Sequence, residues 1–127
     1  MLKFTEFLYE KITQKQINDL EKFADRILAK FEIDVEFTRH FVDRVNDSRN
    51  DPDITIAELQ KLFKKIAKAK GKKVKELIGD EGVLKDLQTD LNLPVAVKLK
   101  KDGEIEVINK TIMRKKDFKT SNKVIKY

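Results

Sequence analysis

Apolar side chains recur at helical spacing through the first two thirds of the chain and at a spacing of two in the last third. Between 14 and 31, Ile17, Leu20, Phe23, Ala24, Ile27 and Leu28 fall on one stripe, which predicts an amphipathic helix. Thr13 and Gln16 stand at capping-box spacing at its start; there the hydroxyl accepts a backbone N–H and the glutamine reaches back. Phe31, Ile33, Val35 and Phe37 then alternate with Glu32, Asp34 and Glu36, the period of a short strand. Thr38 is placed to cap a helix over 38–47 with Phe41, Val42 and Val45 inward. Asp51-Pro52 breaks the chain. Thr55 and Glu58 repeat the capping box and open a helix over 55–69, with Ile56, Leu59, Leu62, Phe63 and Ile66 inward and Lys61, Lys64, Lys65 and Lys68 outward. Gly71 ends it, and 74–78 reads either as a further short helix or as loop.

The pattern then changes to strands over 82–87, 94–99 and 104–113. Lys101-Asp102-Gly103 carries a hairpin signal, because glycine tolerates the positive φ of such turns. From Thr120 on the chain is polar and expected to be loosely held. Helices first and strands second predict an α+β fold, N-terminal helices followed by a C-terminal antiparallel β-sheet, as one domain over 11–127.

Composition narrows the chemistry. Charged residues make up 39% of the 127 residues, and no apolar run is long enough for a membrane-spanning helix. Lys3 and Glu6 interrupt the opening segment, so it does not read as a secretory signal. The absence of cysteine excludes disulfides, thiolate catalysis and cysteine-based zinc sites. A single histidine, His40, excludes a multi-histidine metal site, and the acids are not spaced as a calcium loop. No cofactor, metal or membrane partner is expected.

The net charge of +6 is uneven. Residues 1–60 carry nine Lys/Arg against thirteen Asp/Glu, whereas 61–80 carry eight lysines against two acids. Residues 95–127 carry ten basic groups against four acidic ones. Two basic segments in an otherwise acidic chain suggest one polyanion-facing side; the plainer alternative is two solvated faces that never meet. Lys61, Lys64, Lys65, Lys68, Lys115 and Lys116 are the candidate nucleic-acid contacts. Lysines give affinity without reading sequence, and sparse aromatic interleaving argues against a base-stacking platform.

His40 and Arg44 are four residues apart and share a helix face distinct from that of Phe41, Val42 and Val45. Metal-free phosphodiester cleavage needs a proton acceptor that works near neutrality and cations for the charge that builds on phosphorus. Histidine suits the first role, and arginine or lysine the second. Thr111 offers a neutral donor and Arg114 a bidentate one. The alternative for His40 is a helix-start residue bonded to Glu36 or Asp43.

Two resemblances bear on function. Met1 to Glu10, with the Phe4–Phe7 rhythm and Leu8-Tyr9-Glu10, resembles the capsid-targeting sequences of internal head proteins in T-even-type phages. That resemblance implies a tag over 1–10 cut after Glu10, with Leu8 and Glu10 read by the prohead protease. It also implies a scaffold partner, a place in the capsid interior and later the host cytoplasm. Such proteins usually have a small residue after the cut, where this chain has Lys11. The alternative is that Leu2, Phe4, Phe7 and Leu8 pack on the core. Residues 33–118, with His40, Arg44, Arg49, Thr111 and Arg114 followed by Lys115 and Lys116, resemble phage-encoded domains of the barnase/EndoU/colicin/RelE-like nuclease superfamily. That implies a metal-independent ribonuclease using those five residues, with RNA rather than DNA as substrate. The other readings are a non-catalytic nucleic-acid-binding virion protein and a virion structural or host-protein-binding module.

Overall fold

The computed structural model describes residues 12–127. Helix α1 (Gln14–Leu28) starts at Thr13 by the predicted reciprocal bonds: Oγ1 accepts the Gln16 N–H at 3.2 Å and Gln16 Oε1 accepts the Thr13 N–H at 2.8 Å. A 3-10 turn (Ala29–Phe31) leads through Glu32, at φ 61°, into β1 (Ile33–Phe37). One helical turn, α2 (Phe41–Val45), precedes α3 (Ile56–Lys68), which opens on the Thr55–Glu58 capping box. A four-residue helix α4 (Lys72–Lys75) then leads into β2 (Asp80–Asp86), β3 (Leu91–Leu99), β4 (Ile105–Asn109), β5 (Met113–Arg114) and β6 (Lys123–Lys126). The fold is α+β.

The strands form one sheet in the order β1-β4-β3-β2-β6. Its centre is antiparallel, and the hairpin between β3 and β4 turns at Lys101–Gly103 with Gly103 at φ 89°. Both edges depart from the expected antiparallel sheet. β1, from the helical half of the chain, pairs parallel to β4, and β6 pairs parallel to β2. The tail from Thr120 on is therefore not loose: Ile125 is buried, and Tyr127 exchanges backbone bonds with Lys85 and Leu87. The expected strand over 104–113 is broken. β4 and β5 run along the same side of β3, but Lys110–Ile112 hold one residue more than the partner strand matches, a bulge.

Alternation sorts the sheet into two faces. Ile33, Val35, Val95, Val97, Ile105 and Val107 join Ile17, Leu20, Leu28, Leu59, Leu62 and Phe63 in one core under α1 and α3. Asp34, Glu36, Lys98 and Glu106 lie on the other face. Glycine suits position 82, where a Cβ would sit 2.7 Å from a Leu77 methyl and 3.0 Å from the Lys123 carbonyl oxygen of β6.

The unpaired edge of β1 is met by α1. Asp25 Oδ1 accepts the Val35 N–H at 2.6 Å, and Glu21 Oε1 accepts the Phe37 N–H at 3.2 Å, which blunts an edge otherwise open to another strand. Burial, with the charges of Asp34 and Glu36 adding, pushes the Asp25 carboxyl up to about 6. A carboxyl raised above its unfolded value of 3.8 favours folding below that value, and the contribution is lost as pH rises through 6. Asp25→Asn keeps the acceptor without the charge. Denaturant melts should show it about 1 kcal/mol more stable than wild type at pH 7, a figure discounted for partial exposure, with the advantage gone at pH 4. An unchanged or lower midpoint at pH 7 would mean that the charged bond to Val35 outweighs the repulsion.

Candidate functional site

Phe41 and Val45 bury one side of α2, Phe41 lying edge-on to Phe37 with ring centroids 4.7 Å apart. One turn of helix so anchored leaves His40 and Arg44 exposed on the other side. Thr38 does not cap this helix. His40 occupies the cap position without a side-chain bond, and the Thr38 hydroxyl donates instead to the Lys110 carbonyl at 3.0 Å. The reason lies in the parallel pairing, which sets Phe37 beside Asn109 and so carries Thr38 to the bulge. Asn50, 3% exposed, fastens the other end: its amide donates to the Arg44 carbonyl at 3.1 Å and its Oδ1 accepts the Arg114 N–H at 2.8 Å.

These ties frame a groove of about 640 Å³, within the roughly 300–1,000 Å³ of small-ligand sites. His40, Arg44 and Arg49 stand on one wall, and Lys110 and Thr111 come from the bulge opposite. Ile112, Met113 and Phe118 give it an apolar lining. Four of the five proposed catalytic residues thus share one groove. The cations in it are not equivalent. Arg49 grips Asp47 through Nε at 3.1 Å and Nη2 at 3.0 Å, and those bonds hold the Asp47 carboxyl down at about 2. Lys110 is ion-paired with Glu81. His40 and Arg44 have no acidic partner among the described residues, and the alternative bond from His40 to Glu36 or Asp43 is not made.

Arg114 is the residue that sequence reasoning misplaced. Its side chain is only 10% exposed, and all five guanidinium N–H groups are used inside the fold. Two go to Glu58, at 2.9 and 2.7 Å, and three to the carbonyls of Pro52, Asp53 and Thr89. Burial works against the Glu58 carboxylate, but Arg114 and the Thr55 N–H more than offset it, and the carboxyl stays below its usual range. Arg114 has no donor left for a phosphate.

The lysines divide similarly. Lys65 bonds Asp86 Oδ1 at 2.7 Å, and that carboxylate side chain is 1% exposed. Burial opposes its charge, but Lys65, the Thr89 hydroxyl and the Gln88 N–H together lower it. Lys65 is therefore structural. Lys61, Lys64 and Lys68 of α3 are exposed, as are Lys115 and Lys116 after β5. The two basic segments meet at Lys73, whose ammonium donates to the Lys126 carbonyl at 3.1 Å and lies over the Tyr127 ring. Lys110, Asp47, Asn50 and Phe118 also line the groove, and none of them stands out from the sequence pattern except Phe118, an isolated aromatic in a polar, basic tail.

The one acidic trio with ligand spacing among the described residues is Asp34, Glu36 and Glu106, whose oxygens lie within 4.8 Å of one another. Lys100 already sits there, 3.0 Å from Asp34 and 3.9 Å from Glu106. The tag assigned to residues 1–10, Leu8 and Glu10 included, lies outside the described residues. No described helix is long and apolar enough to cross a membrane. No family model, curated protein or solved structure matches the chain, so the chemistry of the groove rests on its geometry.

Proposed function

We propose that the chain binds RNA in the groove between α2 and the β4–β5 bulge and cleaves it there without a metal. The observation that carries this reading is the meeting of His40, Arg44 and Thr111 in one groove, with the imidazole and the Arg44 guanidinium free of acidic partners among the described residues. A cationic wall with an apolar lining matches a nucleotide, whose phosphate needs charge and whose base needs an apolar surface. In the reaction, His40 takes the proton of the ribose 2′-hydroxyl as that oxygen attacks phosphorus; the P–O5′ bond breaks, and the departing 5′-oxygen takes a proton from solvent water, giving a 2′,3′-cyclic phosphate and a 5′-hydroxyl. Arg44 and Arg49 meet the charge that builds on the phosphoryl oxygens, and Thr111 donates a hydrogen bond to one of them. Resemblance to capsid-targeting sequences supports packaging in a phage head as part of the same proposal. The withdrawal of Arg114 favours a second reading, a nucleic-acid-binding virion protein without cleavage.

Incubating the purified protein with labelled RNA in EDTA separates the two. The ribonuclease reading expects cleavage that persists in the chelator and leaves a 2′,3′-cyclic phosphate, with DNA bound and uncut. RNA that is bound and stays whole across many sequences leaves only the binding protein.

A further inference from the structure

We propose that a second groove, between α1 and α3, is a separate site for the phosphodiester backbone of a nucleic acid. Arg26 of α1 and Lys30 of the 3-10 turn that follows it stand on one side of it, and Lys64 and Lys68 of α3 on the other. It has a volume of about 590 Å³, its other lining residues are Ile27, Ala29 and Ala67, and no acid borders it. It shares no residue with the His40 groove.

Three features distinguish this groove from the wet face of a helix. Like charges from two different elements are brought together without an acidic partner among the described residues. In place of an acid, the Phe23 ring receives both Arg26 and Lys64, at 5.6 and 5.8 Å from its centroid, a cation–π arrangement that ties a cation of each element to one ring. Helix C-termini attract cations, but cations on the outward faces would serve the dipoles equally well without repelling one another. The third feature is spacing: Lys64 and Lys68 are four residues apart on α3, about 6 Å along its axis, and Arg26 and Lys30 are four residues apart across the end of α1 and the 3-10 turn. Two such rows flanking a groove fit a line of evenly spaced negative charge. A membrane surface fits less well, because none of the exposed large apolar side chains among the described residues, Ile78, Leu87 and Leu99, lines this groove.

The test is fluorescence anisotropy of a labelled single-stranded oligonucleotide over a salt series. Changing Arg26, Lys30, Lys64 and Lys68 to glutamine together should lower affinity about tenfold or more at low salt. It should also flatten the slope of log affinity against log salt by about 2 to 3, at roughly 0.7 for each phosphate no longer neutralised. A charge-matched control changes the exposed Lys70, Lys72, Lys75 and Lys101 to glutamine; it should lose less than about threefold, with its slope nearly unchanged. Equal losses in the two variants would assign the effect to net charge and overturn the site. So would a four-residue dependence seen with phosphatidylserine vesicles or polyglutamate and not with the oligonucleotide. Lysine acetylation of the wild-type protein needs no variant to fold: the oligonucleotide should protect Lys30, Lys64 and Lys68 and leave Lys70, Lys72 and Lys75 reactive. Uniform protection would equally overturn the proposal.

Discussion

Arg114→Ala should destabilise the protein by about 3 kcal/mol or more, a large share of the roughly 5–15 kcal/mol that holds a domain of this size. Removing the guanidinium leaves the Glu58 carboxylate, whose side chain is only 22% exposed, without its cation. It also strips a donor from each of three carbonyls, those of Pro52, Asp53 and Thr89. The loss reaches the cap of α3, because Glu58 Oε1 also accepts the Thr55 N–H at 3.0 Å. Arg114→Lys keeps the charge but cannot supply five donors in a fixed fork, so it should fall between alanine and wild type. The pH dependence has a definite sign. Glu58 is held below its usual range, so its contribution is present above the unfolded value and lost as pH falls through the folded one. Wild type should therefore approach the variant in stability under acid. Urea melts of the three proteins decide the matter. A fully stable Arg114→Ala that binds RNA more weakly would return Arg114 to the groove.

The same residue shows where reading the sequence stops. Thr111 and Arg114 are close in the chain, and a basic residue three after a threonine suits a phosphate. Its true partners, Glu58 and the carbonyls of residues 52 and 53, lie 56 to 62 residues away. Features that close over three or four residues were legible for the opposite reason. Both capping boxes and the Lys101–Gly103 turn need only local bonds, and they form as read. His40 and Arg44 likewise share a face because helical spacing alone puts them there. Their meeting with Thr111 depends on β1 lying parallel to β4, a long-range choice that no alternation in Ile33–Phe37 encodes. β6 escaped notice because it offers only Val124 and Ile125 between two lysines, and its partner β2 lies some forty residues earlier. The bulge was hidden too, since residues 104–113 look continuous until Asn109 and Met113 are set against β3 in registers one residue apart.

His40→Ala should slow RNA cleavage by about 100-fold or more while changing RNA affinity by less than about threefold, the signature of a lost general base. The imidazole is free to act because α2 needs nothing from it: the helix starts without a side-chain bond from His40 and is anchored by Phe41 and Val45. The same independence means that alanine should fold normally, so lost turnover would report chemistry. Arg44→Ala should behave differently, weakening binding as well as turnover, because a guanidinium meets the phosphate both before and during the reaction. Lys110 adds a third readout. Its ammonium is paired with Glu81 on the same outer face, and a phosphate entering the groove would compete for it. Glu81→Gln should therefore tighten RNA binding by a few fold at low salt, with the gain fading as salt screens exposed charges. If His40→Ala cleaves as fast as wild type, the proton goes elsewhere and the assignment of His40 fails. If His40→Ala and wild type are equally inert yet Arg44→Ala still loses affinity, the groove binds RNA without cutting it, with Arg49 held by Asp47 and Arg114 by Glu58.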